Sequence, residues 1–153
     1  MKQKQSIKKA ETNWFYSETV KEHFFNPRNI CKTEKELAEF KKEANGYGIT
    51  GSPVCGDQME FLIKVDLATD RIKECRWRTF GCASALASTS VLSEMITEKG
   101  GMKISEAVKL TPQDIIKRLH GLPAIKVHCS VLGDQALRAA IKDYLKRQGK
   151  ESQ

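Results

Sequence analysis

Met59-Glu60-Phe61-Leu62-Ile63-Lys64-Val65-Asp66-Leu67-Ala68-Thr69-Asp70-Arg71-Ile72-Lys73-Glu74-Cys75-Arg76-Trp77-Arg78-Thr79-Phe80 is the stretch that decides the fold. Met59, Phe61, Ile63 and Val65 alternate with Glu60, Lys64 and Asp66, the period of two expected of a strand with one buried face. Leu62 alone breaks the alternation, an apolar residue on the polar side. Ala68-Thr69-Asp70 supplies turn chemistry, and Ile72 to Phe80 is the return strand of a hairpin. A further strand near Gly48 to Ser52 makes three antiparallel strands.

Outward from the hairpin the periodicity becomes helical. Tyr16, Val20, His23 and Phe24 recur at helical spacing, with Ser17 as a cap and Asn26-Pro27 as a stop, which predicts a helix from Trp14 to Phe25. Thr33 followed by Glu36 has the form of a capping box, and Leu37, Phe40 and Ala44 share a face, which predicts a small helix before Asn45-Gly46. Beyond the hairpin, Ala83 to Thr97 is small or apolar almost all round, as a buried helix should be, and Gly100-Gly101 ends it. Ile104 to Lys109 and Pro112 to Leu119 read as two more helices, the second capped by Thr111 with Pro112 at its first position. Val131, Leu132, Leu137, Ala140, Ile141, Tyr144 and Leu145 give the last helix one apolar face. A run of strands followed by a run of helices is the α+β order, with helices packed on one face of an antiparallel sheet. The expected organisation is one domain over residues 14–148, between a polar tail at 1–13 and a short tail at 149–153.

At 153 residues with 40% hydrophobic content, the chain is long enough for one well-filled core. No apolar run approaches the length that crosses a bilayer, and the Lys-rich, Arg-free start matches neither a secretory signal nor a transit peptide. A cytoplasmic protein without membrane association is the expectation. The net charge of +7 resides in the first and last thirds. It comes with no nucleic-acid motif and no basic patch interleaved with aromatics, so no nucleic-acid partner is expected. Five cysteines, an odd number, argue against a disulfide framework and for reduced thiols in use.

Three of those thiols share a local context. Cys55 follows Gly51-Ser52-Pro53-Val54 and precedes Gly56-Asp57, a turn-forming setting. Cys82 follows Gly81 where the second hairpin strand gives way to a helix. Cys129, beside His128, opens the last helix. A helix start presents unpaired N–H groups and the positive end of the dipole, so a thiol there is biased toward thiolate, the form that binds metal and attacks electrophiles. Cys55, Asp57, Cys82, His128 and Cys129 therefore form a candidate ligand set, although their spacing matches no zinc finger. Cys31 and Cys75 read as small buried hydrophobes, and His23, His120, Trp77 and Tyr144 as structural.

Tyr16-Ser17-Glu18-Thr19-Val20 with His23 to Asn29, Gly51 to Asp57, Thr79 to Cys82, Leu122-Pro123-Ala124-Ile125-Lys126-Val127-His128-Cys129-Ser130 and Ala140 to Tyr144 together resemble the IscU/NifU-type iron-sulfur cluster assembly scaffolds. The resemblance runs in family order over residues 14 to 148. It implies an α+β sandwich of the SufE/NifU-like type, a three-stranded antiparallel sheet with helices packed on one face. It places the family's three cluster cysteines on Cys55, Cys82 and Cys129, its acidic residue on Asp57 and its histidine on His128. It also implies a chaperone-binding loop at Leu122, Pro123 and Lys126, where Ala124 stands in place of the family's second proline. Residues 30 to 45 depart from the family pattern.

What the resemblance implies for function is a scaffold without turnover chemistry of its own. A cysteine desulfurase would supply sulfur, with Cys129 as acceptor, and iron would join it in a [2Fe-2S] cluster passed on to apo iron-sulfur proteins. An Hsp70-type chaperone would assist, and a homodimer of cluster-bound chains is compatible with it. Two other readings compete. The same ligands could hold zinc in a SufU-like sulfur acceptor, against which His128 and the lack of a long insertion between Cys82 and Lys126 weigh. Cys129, His128 and Asp57 could also serve a cysteine hydrolase, but a nucleophile and base adjacent in sequence diverge at a helix start.

Overall fold

The computed structural model describes residues 17–51, 58–80, 83–120 and 129–149. Its sheet has three antiparallel strands in the order β1 (Gly46–Thr50), β2 (Met59–Asp66) and β3 (Arg71–Thr79). The helices among the described residues are α1 (Glu18–Phe25), α2 (Glu34–Glu43), α3 (Ala83–Thr97), α4 (Ile104–Ala107), α5 (Pro112–Arg118) and α6 (Cys129–Arg147).

The hairpin forms as its alternation requires. Met59, Phe61, Ile63 and Val65 are buried against the helices, together with Ile72, Cys75 and Trp77 of β3. Val91, Leu92 and Ile96 of α3 and Leu137, Ala140, Ile141 and Tyr144 of α6 complete that core. The register slips between Lys64 and Val65, where Asn45 clamps Val65 by accepting from its N–H at 2.8 Å and donating to its carbonyl at 2.9 Å. A bulge held on both sides in this way fixes the pairing of the residues beyond it.

Leu62, the exception to the alternation, is fully buried all the same. Helix α2 crosses the opposite face of the sheet and covers Leu62 with Leu37 and Phe40, forming a small second core with Cys31. The α+β arrangement thus has its main helices on one face and α2 on the other. The free edge of β3 is occupied as well: Cys31 N–H donates to the Trp77 carbonyl at 2.8 Å, and Trp77 N–H donates to the Asn29 carbonyl at 3.2 Å. Around Trp77 the covered edge offers no template for strand addition.

Element ends differ from the sequence expectation where local hydrogen bonds decide them. Ser17 is extended and its Oγ accepts from Val20 N–H, so α1 starts at Glu18, and residues 14–16 lie outside the described residues. Thr33 caps α2 by accepting from Glu36 N–H, but the Glu36 carboxylate accepts from Lys32 N–H, which leaves half a capping box. The full box forms instead at α5, between Thr111 and Asp114. Helix α4 ends at Ala107, shorter than expected, and β1 lies two residues earlier than expected.

Candidate functional site

Strand register and helix direction together determine where the expected ligands enter the frame. Thr50, Met59 and Thr79 are paired across the sheet in one row. The segment carrying Cys55 and Asp57 joins the end of β1 to the start of β2, and Gly81-Cys82 follows β3, so both leave the sheet from that row. Thr79 Oγ1 donates to the Gln58 carbonyl at 2.8 Å, fastening the end of β3 to the approach to β2.

Helix α6 runs antiparallel to β1. Tyr47 N–H donates to Asp143 near the helix end, whereas Thr50 Oγ1 donates to Gln135 Oε1 at 3.2 Å near its start. The close approach depends on Gly48, at which a Cβ would collide with the backbone of Ala136 and Ala140. Helix α3 likewise runs antiparallel to β3: Cys75 Sγ meets the Ser93 carbonyl at 3.7 Å, and Ile72 N–H donates to the Met102 carbonyl beyond the helix end. The starts of α3 and α6, at Ala83 and Cys129, therefore lie toward the same end of the sheet as the row Thr50, Met59 and Thr79.

That end is suited to anions. Two helix N-termini face it, and neither helix has an acidic side chain in its first turn. No carboxylate of their own first turns offsets their positive ends. Phe80 stands 65% exposed at the rim, with the Arg78 guanidinium 5.3 Å from its ring centroid. On α6, Asp134 is buried with Arg138 Nε 3.2 Å away, and burial raises its carboxyl above the usual range.

Cys55, Asp57, Cys82 and His128 lie outside the described residues, as do Leu122, Pro123 and Lys126; of Cys129 the structure describes the backbone position at the start of α6. Among the described residues there is no group of three or more His, Cys, Asp or Glu side chains able to hold a metal ion. Cys31 and Cys75 are buried, and burial pushes both thiols up, Cys75 to about 12, so neither is a ready thiolate. His23 is buried with Nδ1 2.8 Å from Ser90 Oγ, and His120 is exposed with Nδ1 3.0 Å from Thr19 Oγ1. Both tie α1 to its neighbours, in keeping with structural roles.

Thr89 and Gly133 escaped notice in the sequence. They meet where α3 touches α6, a Cβ built on Gly133 falling 2.8 Å from Thr89 Oγ1. The available signal was a glycine inside an amphipathic helix, which costs about 1 kcal/mol relative to alanine and so calls for a packing reason.

Among the described residues no helix is long and apolar enough to cross a membrane. The model of the NifU-like N terminal domain matches residues 15–151. The chain is 47% identical over 135 residues to the iron-sulfur cluster assembly scaffold protein IscU of Aquifex aeolicus, covering 88% of this chain and 79% of that one. It is 42% identical over 129 residues to the mitochondrial iron sulfur cluster assembly protein 2 of Saccharomyces cerevisiae, covering 84% and 77%. The fold resembles that of the N-terminal part of a NifU-like protein from Brucella abortus, with a TM-score of 0.61 at 15% identity over 86% of this chain and 94% of that one. Sheet, helix placement and these matches agree, and the chain belongs to the family of the NifU-like N terminal domain.

Proposed function

We propose that this chain is a scaffold on which iron and desulfurase-derived sulfur are assembled into [2Fe-2S] clusters that are then transferred to apo-proteins. The observation that carries the proposal is the convergence of the ends of β1 and β3, the start of β2 and two acid-free helix starts on one end of the sheet. Every thiol expected to act is connected to that end in the sequence. The scaffold names of relatives such as the Aquifex protein support the same reading.

In this proposal Cys55, Cys82 and Cys129 supply thiolates, and Asp57 and His128 supply harder ligands. The α6 dipole holds the Cys129 thiol ionised. Its thiolate attacks the outer sulfur of the desulfurase persulfide; the S–S bond breaks and the donor cysteine departs as thiolate, leaving the persulfide on Cys129. Two electrons from a reductant then free sulfide for iron. The cluster is cargo, and a carboxylate or imidazole among its ligands favours release over retention. Leu122, Pro123 and Lys126 would contact an Hsp70-type chaperone. The scaffold unit spans residues 14–148, with tails at 1–13 and 149–153, acts in the cytoplasm, and has no turnover chemistry of its own.

Anaerobic reconstitution with iron, L-cysteine and a cysteine desulfurase tests this. The expected product has [2Fe-2S] absorption and Mössbauer spectra, is lost on alanine replacement of Cys55, Cys82 or Cys129, and loads an apo-ferredoxin. A colourless protein that keeps one tightly held zinc and accepts sulfur would replace the proposal with the SufU-like reading.

A further inference from the structure

Among the described side chains of α3, all hydroxyls but one are engaged. Ser88 donates to the Ala85 carbonyl, Ser93 to the Ser90 carbonyl and Thr97 to the Ser93 carbonyl, while Ser90 Oγ accepts from Arg28 N–H beside His23. Thr89 is the exception: its Oγ1 is fully buried and has no hydrogen-bond partner among the described residues. A helical threonine can ordinarily bond the carbonyl one turn back. Thr89 forgoes that bond and lies against α6 at Gly133, where an added Cβ would sit 2.8 Å from Oγ1 and 3.5 Å from Leu92 Cδ2.

Gly133 is buried one turn after Cys129, on the same stripe of α6. Thr89 lies less than two turns from Ala83, the residue after Cys82. Interaxial distance is set by the side chains at the contact, and here one partner has none. We infer that the Thr89–Gly133 contact is a positioning element: it fixes the separation of the α3 and α6 starts, the helix ends next to which Cys82 and Cys129 stand in the sequence. The relevance of that separation to cluster assembly rests on the function proposed above; the separation itself does not.

The test therefore has two readouts. In Cys55→Ser protein, a short bis-alkylating reagent cross-links Cys82 to Cys129 at a rate that reports their separation with no metal present, Cys31 and Cys75 being buried. Cluster yield on reconstitution is measured in parallel with Cys55 intact. Gly133→Ala is expected to lower both at least 5-fold, and Gly133→Ala with Thr89→Ala to restore both to within 2-fold of the parent proteins. Should Gly133→Ala fail to fold, Thr89→Val and Thr89→Leu replace it: valine preserves the shape and the cross-linking rate, and leucine lowers that rate. Wild-type cross-linking in Gly133→Ala, a double variant as slow as Gly133→Ala, or equal rates for the valine and leucine variants would overturn the inference. Failure of the unmodified protein to form a cluster, with the cross-linking pattern intact, would remove the proposed function and leave the positioning contact standing.

Discussion

Tyr144 Oη donates to Asp70 Oδ1 at 2.9 Å, tying the last turns of α6 to the turn between β2 and β3. Asp70 sits in the left-handed region at φ 60°, a conformation that Asp and Asn tolerate better than most residues. Burial, then the bond to Asp70, pushes the Tyr144 hydroxyl up to about 12. Tyr144→Phe should cost about 1 kcal/mol, the net worth of such a bond, and lower Tm by roughly 2–4 °C. Asp70→Asn keeps both an acceptor and a residue suited to positive φ, and should change Tm by less than half as much. Thermal unfolding followed by circular dichroism checks both.

Stability should fall as the pH drops below 6.5, and His23 should account for part of the fall. Burial, then the nearby Arg28 charge, holds its imidazole below the ordinary value of 6.5. Ser90 Oγ accepts from Arg28 N–H at 2.8 Å, so its own proton is free to donate to Nδ1 of a neutral imidazole. The unfolded chain then binds a proton at this site before the folded one does. The contribution is present above the unfolded pKa and is lost as pH falls through the folded one. Urea titrations from pH 7 to pH 5 should show a shallower loss in His23→Asn than in the parent; equal slopes would refute the assignment.

Phe40 and Phe61 should differ in what their loss unfolds. Phe61 is fully buried in the main core, and Phe61→Ala should cost about 3–5 kcal/mol as global destabilisation. Phe40 belongs to the small cluster under α2, with the Arg76 guanidinium 5.1 Å from its ring centroid. Phe40→Ala should release α2 locally while the hairpin persists. Hydrogen exchange is the measurement: faster exchange confined to residues 34–43 is expected for Phe40→Ala, and faster exchange throughout the sheet for Phe61→Ala.

On the proposed function, Asp57→Ala should hold the assembled cluster longer against a chelator, by severalfold in half-life. A carboxylate is the harder and more exchangeable ligand for iron that also binds thiolates, so its loss removes an easy exit. The decay of visible absorption after chelator addition measures this, and equal or faster decay in the variant would show that Asp57 does not promote release.

The strands and most helices of this protein were legible because they are written locally. The alternation from Met59 to Val65, the Thr111 to Asp114 box and the all-round apolar run of α3 each state a conformation within a few residues. The expectations for Cys55, Cys82 and Cys129 were drawn from equally local cues, turn residues and helix starts. Leu62 looked like an error in a strand pattern because its cover, Leu37 and Phe40, comes from a helix some twenty residues earlier that crosses the other face of the sheet. Local sequence does not reveal which face such a helix chooses. The Thr89–Gly133 contact was equally hidden, because it joins residues 44 positions apart through two helices that run side by side in the same direction over the sheet. Sequence by itself determined which segments are helix and strand and which thiols are the candidates. Tertiary structure alone decided that the strand ends flanking Cys55 and Cys82 and the start of α6 lie at one end of the sheet, because strand register and helix direction are set by long-range packing.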